Sequence, residues 1–535
     1  MILFVNPPSR AGIYQGLGDS LAAIEPPLWA RLLASYCERK GVETDIVDLN
    51  ASGATPEAAA KAVEMLYRNR AKLIAIVAQG HQPSASTQTM PAVIEVSRAI
   101  KEATPDIPVL IVGGHPAALP EQTLRETGAD FVCTGEGPIT AAAVSERLKT
   151  ARRKIDRTIW REDFAGISSL CFWHRQQPYD LENPTWYNTR ADCYIHKTAP
   201  APNLYSLTDE MPGGMWELLP MEKYRAHTWH CFGEESRQPY ASIYTTLGCP
   251  YSCEFCNIQN PFREGDKLAL KGKANSYRMW HPTHIVDEIQ LLVEKYGVRH
   301  LKIADEMFVL NRSHVLNICD QLVERGLGDR LNMWCYARVD TLKDQVLLDK
   351  MRAAGIRWCG VGIESMSEHV RDGVGKNDYG IKDIFRAGDM LRKAGIHLAA
   401  NFMFGLPDDD GPSMQQTLDM AFEIMPEWCN FYATLAYPGT PLYQRALTEG
   451  WELPASWSGY SHYAEDYLPL RTKHLTAAEV LRFRDDAFQA FYRSPSYQSL
   501  TLTKFGPKAL VEVQEMVRVP LKRRLLEDAQ EDNAR

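Results

Sequence analysis

Three cysteines, Cys249, Cys253 and Cys256, fall within eight residues of the stretch T-T-L-G-C-P-Y-S-C-E-F-C-N. Thiols spaced C-x3-C-x2-C suit a metal centre in a reducing compartment. A structural zinc ion takes four N or S ligands, usually from two separated pairs. The nearest further candidates are Cys231 and His281, and His281 remains able to complete such a site. A cubane iron–sulfur cluster also takes four ligands, commonly all cysteine. With three supplied, one iron stays open to a small molecule, and an open metal position is a catalytic arrangement rather than a structural one. The remaining nine cysteines are scattered singly (Cys37, Cys133, Cys171, Cys193, Cys231, Cys319, Cys335, Cys359 and Cys429) and read as small buried apolar residues.

The elements around this loop must hold it open at one side. A strand, A-S-I-Y-T-T-L, leads into it, and a helix is expected beyond it. Five more strand candidates follow: H-L-K-I-A-D, L-N-M-W-C-Y-A-R-V, R-W-C-G-V-G-I-E, H-L-A-A-N-F-M-F-G and N-F-Y-A-T-L-A. Helical patterns at 282–296, 311–324 and 382–394 separate them. Such alternation over 238–450 predicts a partial (β/α)6 barrel, with the cysteine loop at its carboxyl end, where barrel active sites gather. From about residue 475 the pattern turns helical, so 451–535 is expected to be a mainly helical region ending in a fraying, solvated tail.

Residues 1–150 alternate short β-rich runs with helical patterns, which predicts a doubly wound, Rossmann-like parallel sheet. The whole chain is therefore α/β. The loops at the expected strand ends are Asn6-Pro7-Pro8, then Gln79-Gly80-His81-Gln82-Pro83-Ser84, then Gly113-Gly114-His115, then Gly135-Glu136-Gly137. Paired glycines there let a large ligand approach the backbone. No G-x-G-x-x-G follows the first strand, which argues against a dinucleotide. Between these regions, 151–237 is irregular and carries Trp160, Trp173, Trp186, Trp216 and Trp229; it reads as a linker with aromatic anchors. Within it, 224–232 (Y-R-A-H-T-W-H-C-F) suits either a substrate loop or interdomain packing.

At 535 residues, 45% hydrophobic and 24% charged, the chain should form two or three domains. A net charge of −8 does not suit a generic nucleic-acid binder. The start, M-I-L-F-V-N-P-P-S, is not that of a signal peptide, and apolar runs such as 73–78 are strand-length, so a cytoplasmic chain with no membrane partner is expected.

In its strand–loop–helix setting, C-P-Y-S-C-E-F-C resembles the signature loop of the radical S-adenosylmethionine (radical SAM) enzymes. The resemblance implies that Cys249, Cys253 and Cys256 hold a 4Fe–4S cluster whose open iron is chelated by S-adenosylmethionine, with Phe255 near its adenine. It further places Asp305 or Glu306 near the amine, although the usual Gly-Gly-Glu is absent. Arg338 would pair with the methionine carboxylate, or else form a salt bridge with Asp340. Glu364 would meet the ribose or amine, and Gly405 would line the adenine. A doubly wound domain with G-G-H-P and G-E-G ahead of the barrel resembles the cobalamin-binding branch, so the likeness covers about 1–150 and 238–445. Asn6, Gln79, His81, Ser84, Thr87, Gly113, Gly114, Gly135, Glu136 and Gly137 are its implied cobalamin contacts. The loop after the first strand reads N-P-P-S-R-A-G rather than D-x-H-x-x-G, implying cobalamin bound with no histidine below cobalt, and His81 as a hydrogen-bonding residue.

That resemblance implies a methyltransferase. A 5′-deoxyadenosyl radical would take hydrogen from an unactivated carbon or an H-phosphinate of a small metabolite, and methylcobalamin would supply the methyl group. The expected partners are the small-molecule substrate and an external electron donor of flavodoxin or ferredoxin type, with no nucleic acid. An oxidative cyclase or ring-rearranging enzyme of the same branch is the alternative. A non-catalytic cobalamin sensor and a zinc-stabilised scaffold are the readings from other classes.

Overall fold

Six hydrophobic residues in a row, Leu73–Ala78, are buried on both faces, as a central parallel strand requires. The computed structural model describes residues 1–8, 15, 21–150, 164–175, 193–262 and 276–534. Trp160 and Trp186 lie outside the described residues. The chain divides into two units: Met1–Ser9, Pro27–Pro220 and Asn257–Ser276 form the first, and Arg10–Pro26, Met221–Cys256 and Tyr277–Arg535 the second.

The first unit is built on a sheet of strands β1 (Ile2–Asn6), β2 (Thr44–Asp48), β3 (Leu73–Ala78), β4 (Val109–Gly113), β5 (Phe131–Cys133), β6 (Leu170–Arg175) and β7 (Cys193–Lys197). Its order is β2-β1-β3-β4-β5-β6-β7. The first five strands are parallel, and β5–β6–β7 are antiparallel. Strand order 2-1-3-4-5 is doubly wound, and it puts the ligand crevice at the carboxyl ends of β1 and β3. β6 and β7 come from the stretch expected to be an irregular linker. Its turns and prolines hid two short strands, and Phe172 packs tilted to Phe131 and edge-on to Phe164 at ring distances of 6.3 and 6.2 Å.

The second unit carries a hairpin of β9 (Thr246–Gly248) and β10 (Tyr277–Met279) beside a six-stranded parallel sheet: β8 (Tyr240–Ile243), β11 (His300–Ile303), β12 (Asn332–Arg338), β13 (Ile356–Glu364), β14 (His397–Phe404) and β15 (Trp428–Ala433). Its strands lie in chain order from β8 to β15, each joined to the next by a helix-bearing connection, the partial barrel expected from the alternation. Side chains alternate across it. Cys335 and Cys359 face the helical layer beside Cys319, so Trp334, Tyr336, Arg338, Trp358 and Gly362 face inward. Trp229 plugs the amino-terminal end of this interior. Its ring stands 5.0 Å from Trp334, 5.3 Å from Trp358 and 6.0 Å from Trp428. The 224–232 stretch is therefore packing, of the barrel interior rather than of a domain junction.

The helices Ala477–Arg493 and Pro495–Met516 cover the outer edge of β15. Tyr492 Oη bonds both backbone groups of Cys429, Arg484 Nε donates to Phe431 O at 2.8 Å, and Tyr467 Oη donates to Ala433 O at 2.8 Å. An uncovered edge would offer these groups to another chain. The terminal stretch, expected to fray, forms the helix Arg524–Ala534. Arg523 pairs with Asp485 at 3.0 Å, and Leu525 and Leu526 pack against a buried Tyr460–Tyr467 cluster. Among the described residues no helix is long and apolar enough to cross a membrane.

Candidate cofactor site

The cysteine loop leaves β9 at Gly248, whose φ of 85° suits only glycine, and turns at once into Cys249. Glu254 pins its far side from both directions. Its N–H donates to Val374 O at 3.0 Å, and its carbonyl accepts from Leu442 N at 3.0 Å. Phe255 bridges two apolar clusters, one around Val370, Val374 and Leu406 and the other around Ala436 and Leu442. The three cysteines are half-buried thiols in one turn, with Cys256 N donating to Cys253 O at 3.1 Å.

This donor set fits an iron–sulfur cubane. Burial pushes the Cys249 thiol up, and the charges of Cys256 and Cys253 push it further, as close sulfurs do. Among the described residues no three His, Cys, Asp or Glu side chains converge as the ligands of a single ion do. A cubane has no such requirement, because its irons occupy separate corners. His281, the residue able to complete a zinc site, instead caps the helix Pro282–Tyr296, its Nδ1 accepting from Thr283 N at 3.3 Å.

Around the loop, the structure separates the expected residues by what already holds them. Asp305 is a strut: it accepts from Thr245 N at 2.6 Å, Thr245 Oγ1 at 2.5 Å and Thr246 Oγ1 at 2.9 Å. Burial raises its carboxyl to about 6 against those bonds. In Glu306, by contrast, Oε2 is shielded and accepts no hydrogen bond, and burial, with the neighbouring Asp305 adding to it, pushes the carboxyl up to about 8. Glu306 adds a little to the upward push on the Cys249 thiol.

Arg338 realises its salt-bridge alternative. Its Nε donates to Asp340 at 2.9 Å and its Nη2 to Asp378 at 2.5 Å, while Nη1 lies 3.5 Å from Cys253 Sγ. Glu364 pairs with buried Lys376, a residue the sequence reading passed over. Burial works to lower the lysine, but the Glu364 carboxylate, with Tyr379 and the Cys253 sulfur adding to it, prevails and holds it charged. A β-bulge puts Glu364 at φ 64°, and Gly362 leaves the room: a Cβ there would meet Glu364 Oε1 at 2.6 Å and Lys376 Nζ at 2.8 Å.

Gly405 is needed for packing against the helix Ala477–Arg493. At φ 78°, its Cβ would meet Val480 Cγ1 at 2.4 Å. Gly405→Ala should therefore cost about 2–4 kcal/mol, from overpacking and the left-handed backbone together. Val480→Ala in the same chain should relieve the overpacking alone, read as a shift of the second unit's urea transition. A Gly405→Ala chain of wild-type stability would show the close approach to be no constraint.

In the first unit the loops after β3 and β4 are tied together. Gly114 N donates to Gln79 Oε1 at 2.9 Å, His115 N to Ser86 Oγ at 2.8 Å, and His115 Nδ1 lies 3.2 Å from Thr87 Oγ1. Burial pushes the His115 imidazole down to about 3, so it is neutral. Ser84 begins the short helix Ala85–Gln88, and His81 is buried in the same loop. Asn6 is occupied by its cross-strand partner, Nδ2 donating to Asp48 Oδ1 at 2.8 Å. Glu136 Oε2 accepts from Leu204 N at 3.0 Å.

Three of the glycines expected to admit a ligand are required by internal packing. A Cβ would lie 2.0 Å from Ala78 O at Gly113, 2.8 Å from Ser169 Oγ at Gly135 and 2.5 Å from Val112 Cγ1 at Gly137. Gly114, with nothing nearer than 3.4 Å, keeps its room. The chain leaving Cys256 then runs over these loops. Asn257 Nδ2 donates to Pro83 O at 3.3 Å, and the turn Asn260–Phe262 packs on the helix Gly114–Ala118. The strand order puts a crevice at the carboxyl ends of β1 and β3, and Gln79, His81, Ser84 and Thr87 lie in the loop and short helix that follow β3.

Comparison with known proteins agrees with both halves. A B12-binding domain model matches residues 14–145, and a radical SAM superfamily model matches residues 243–421. An uncharacterized methyltransferase of Pyrococcus horikoshii is 24% identical over 92% of this chain and 93% of its own length. The anaerobic magnesium-protoporphyrin IX monomethyl ester cyclase of Cereibacter sphaeroides is 24% identical over 92% of this chain and 70% of its own. The radical SAM methyltransferase TsrM from Kitasatospora setae, solved with cobalamin and a 4Fe–4S cluster, shares the fold at a TM-score of 0.65, with 16% identity over 96% of this chain and 99% of that one. With a B12-binding domain ahead of a three-cysteine radical SAM domain on this shared fold, the chain is built as a cobalamin-dependent radical S-adenosylmethionine enzyme and is similar to methyltransferases of that kind.

Proposed function

We propose that the enzyme moves a methyl group from methylcobalamin to an unactivated carbon or a phosphinate phosphorus of a small metabolite. The observation that carries this reading is the three-thiol loop, pinned at Glu254 and held at the carboxyl end of the barrel strands. When bound, the 4Fe–4S cluster, S-adenosylmethionine and cobalamin would supply a 5′-deoxyadenosyl radical and a transferable methyl group.

The chain's own residues have defined tasks in this reading. Cys249, Cys253 and Cys256 hold the cluster. Glu306, whose shielded Oε2 lacks a partner, accepts from the amine of S-adenosylmethionine. Phe255, set between two apolar clusters, offers the adenine a dry wall. Asp305 and the Glu364–Lys376 pair brace the strand ends that present these groups. Gln79, His81, Ser84 and Thr87 take the corrin or its nucleotide tail, with Gly114 leaving space for it. The electron comes from a flavodoxin- or ferredoxin-type donor, in keeping with a cytoplasmic enzyme.

Anaerobically reconstituted enzyme, given reductant, S-adenosylmethionine and candidate substrates, tests the proposal by mass spectrometry. S-adenosylhomocysteine and 5′-deoxyadenosine should accumulate together. The likeness to the C. sphaeroides cyclase sustains ring oxidation as a second reading, which 5′-deoxyadenosine without S-adenosylhomocysteine would favour. Neither product with any substrate class would sink both.

A further inference from the structure

Arg338 is almost fully buried, yet it does more than neutralise a carboxylate. Its guanidinium carbon sits over the Tyr251 ring, 3.7 Å from the centroid, and Tyr251 is itself fixed by donating Oη to Asp340 Oδ2 at 2.8 Å. Asp340 and Asp378 hold the Nε and Nη2 edges. With stacking and two ion pairs setting its plane, the remaining Nη1 is directed at Cys253 Sγ, 3.5 Å away. The Cys253 sulfur thus has a fixed guanidinium donor.

We propose that Arg338 is a positioning residue that sets the reduction potential of the cluster, through its hydrogen bond to Cys253. This rests on the reading of the three cysteines as cluster ligands. Hydrogen bonds and net charge around cluster sulfurs are recognised determinants of potential. Adding one electron makes the cluster and its thiolates more negative. A fixed N–H and a positive charge at Cys253 stabilise that reduced state and raise the potential. Asp378, half-exposed at the far edge of the guanidinium, opposes it.

The two groups therefore have opposite signs, and that is the test. Potentiometric titration followed by electron paramagnetic resonance reads the potential of the reconstituted holoenzyme directly, without turnover. Arg338→Met should make reduction harder by about tenfold or more in equilibrium constant, about 59 mV for one electron. Asp378→Asn should make it easier, because Asp340 and Tyr251 still hold the arginine. Should Arg338→Met fail to load a cluster, the Asp378→Asn shift decides. Loaded variants whose potentials stay at the wild-type value, or move in the same direction, overturn the proposal alone. A wild-type chain that loads no cluster overturns the ligand reading as well.

Discussion

Cys256→Ala should abolish 5′-deoxyadenosine formation, by more than about 100-fold, because even outer partners of a metal ligand are commonly worth about 10–100-fold. The substitution is a clean one. Cys256 is half-buried in a loop whose shape is held by the backbone of Glu254 and by the β9–β10 hairpin, neither of which uses the thiol. Folding should survive while bound iron falls and the broad visible absorption of the cluster is lost. The assay is iron content together with anaerobic S-adenosylmethionine cleavage. A variant that retains its iron and cleaves at the wild-type rate would remove Cys256 from the ligand set.

Lys376→Met should destabilise the second unit by about 3–5 kcal/mol, the usual cost of leaving one member of a buried ion pair alone. Lys376 and Glu364 are both buried, and the left-handed backbone at Glu364 aims its carboxylate at the ammonium. With the lysine gone, Glu364 must take up a proton or stay charged in a dry setting. Glu364→Gln combined with Lys376→Met should recover much of the loss, since a neutral pair needs no counter-charge. The urea transition of the second unit reports both. Equal stability of Lys376→Met and wild type would show that water already reaches the pair.

The stacked arginine, the ion pair and the glycine at Val480 share one lesson. Sequence placed Arg338, Glu364 and Gly405 at the ends of strands, and there they are. It offered each to a ligand, with an Asp340 salt bridge as the alternative for Arg338, and the protein's own atoms already occupy much of what each offers. Asn6 and Asp305 behave alike, spent on Asp48 and on Thr245 and Thr246. A polar group at a strand end is equally suited to a neighbouring strand or to a cofactor, and the difference lies in register. Asn6 meets Asp48 because β1 and β2 pair in that register across 42 residues of chain. Lys376 could have been suspected as a cation between glycines after a strand, but nothing local says that it turns back under Glu364.

By itself the sequence determined what is short-range. Period-two and helical patterning gave the doubly wound sheet and the six-strand barrel, and the spacing inside one loop gave the cysteine set, because neighbours along the chain are neighbours in space. Tertiary structure decided what depends on distant pairings. It sent Trp229 into the barrel, two strands into a supposed linker and the terminal helix against Tyr460 and Tyr467. It also gave Arg338 to Cys253 and left Glu306 as the carboxyl with an oxygen to spare. Burial and register, which composition cannot encode locally, chose among partners that the sequence left equivalent.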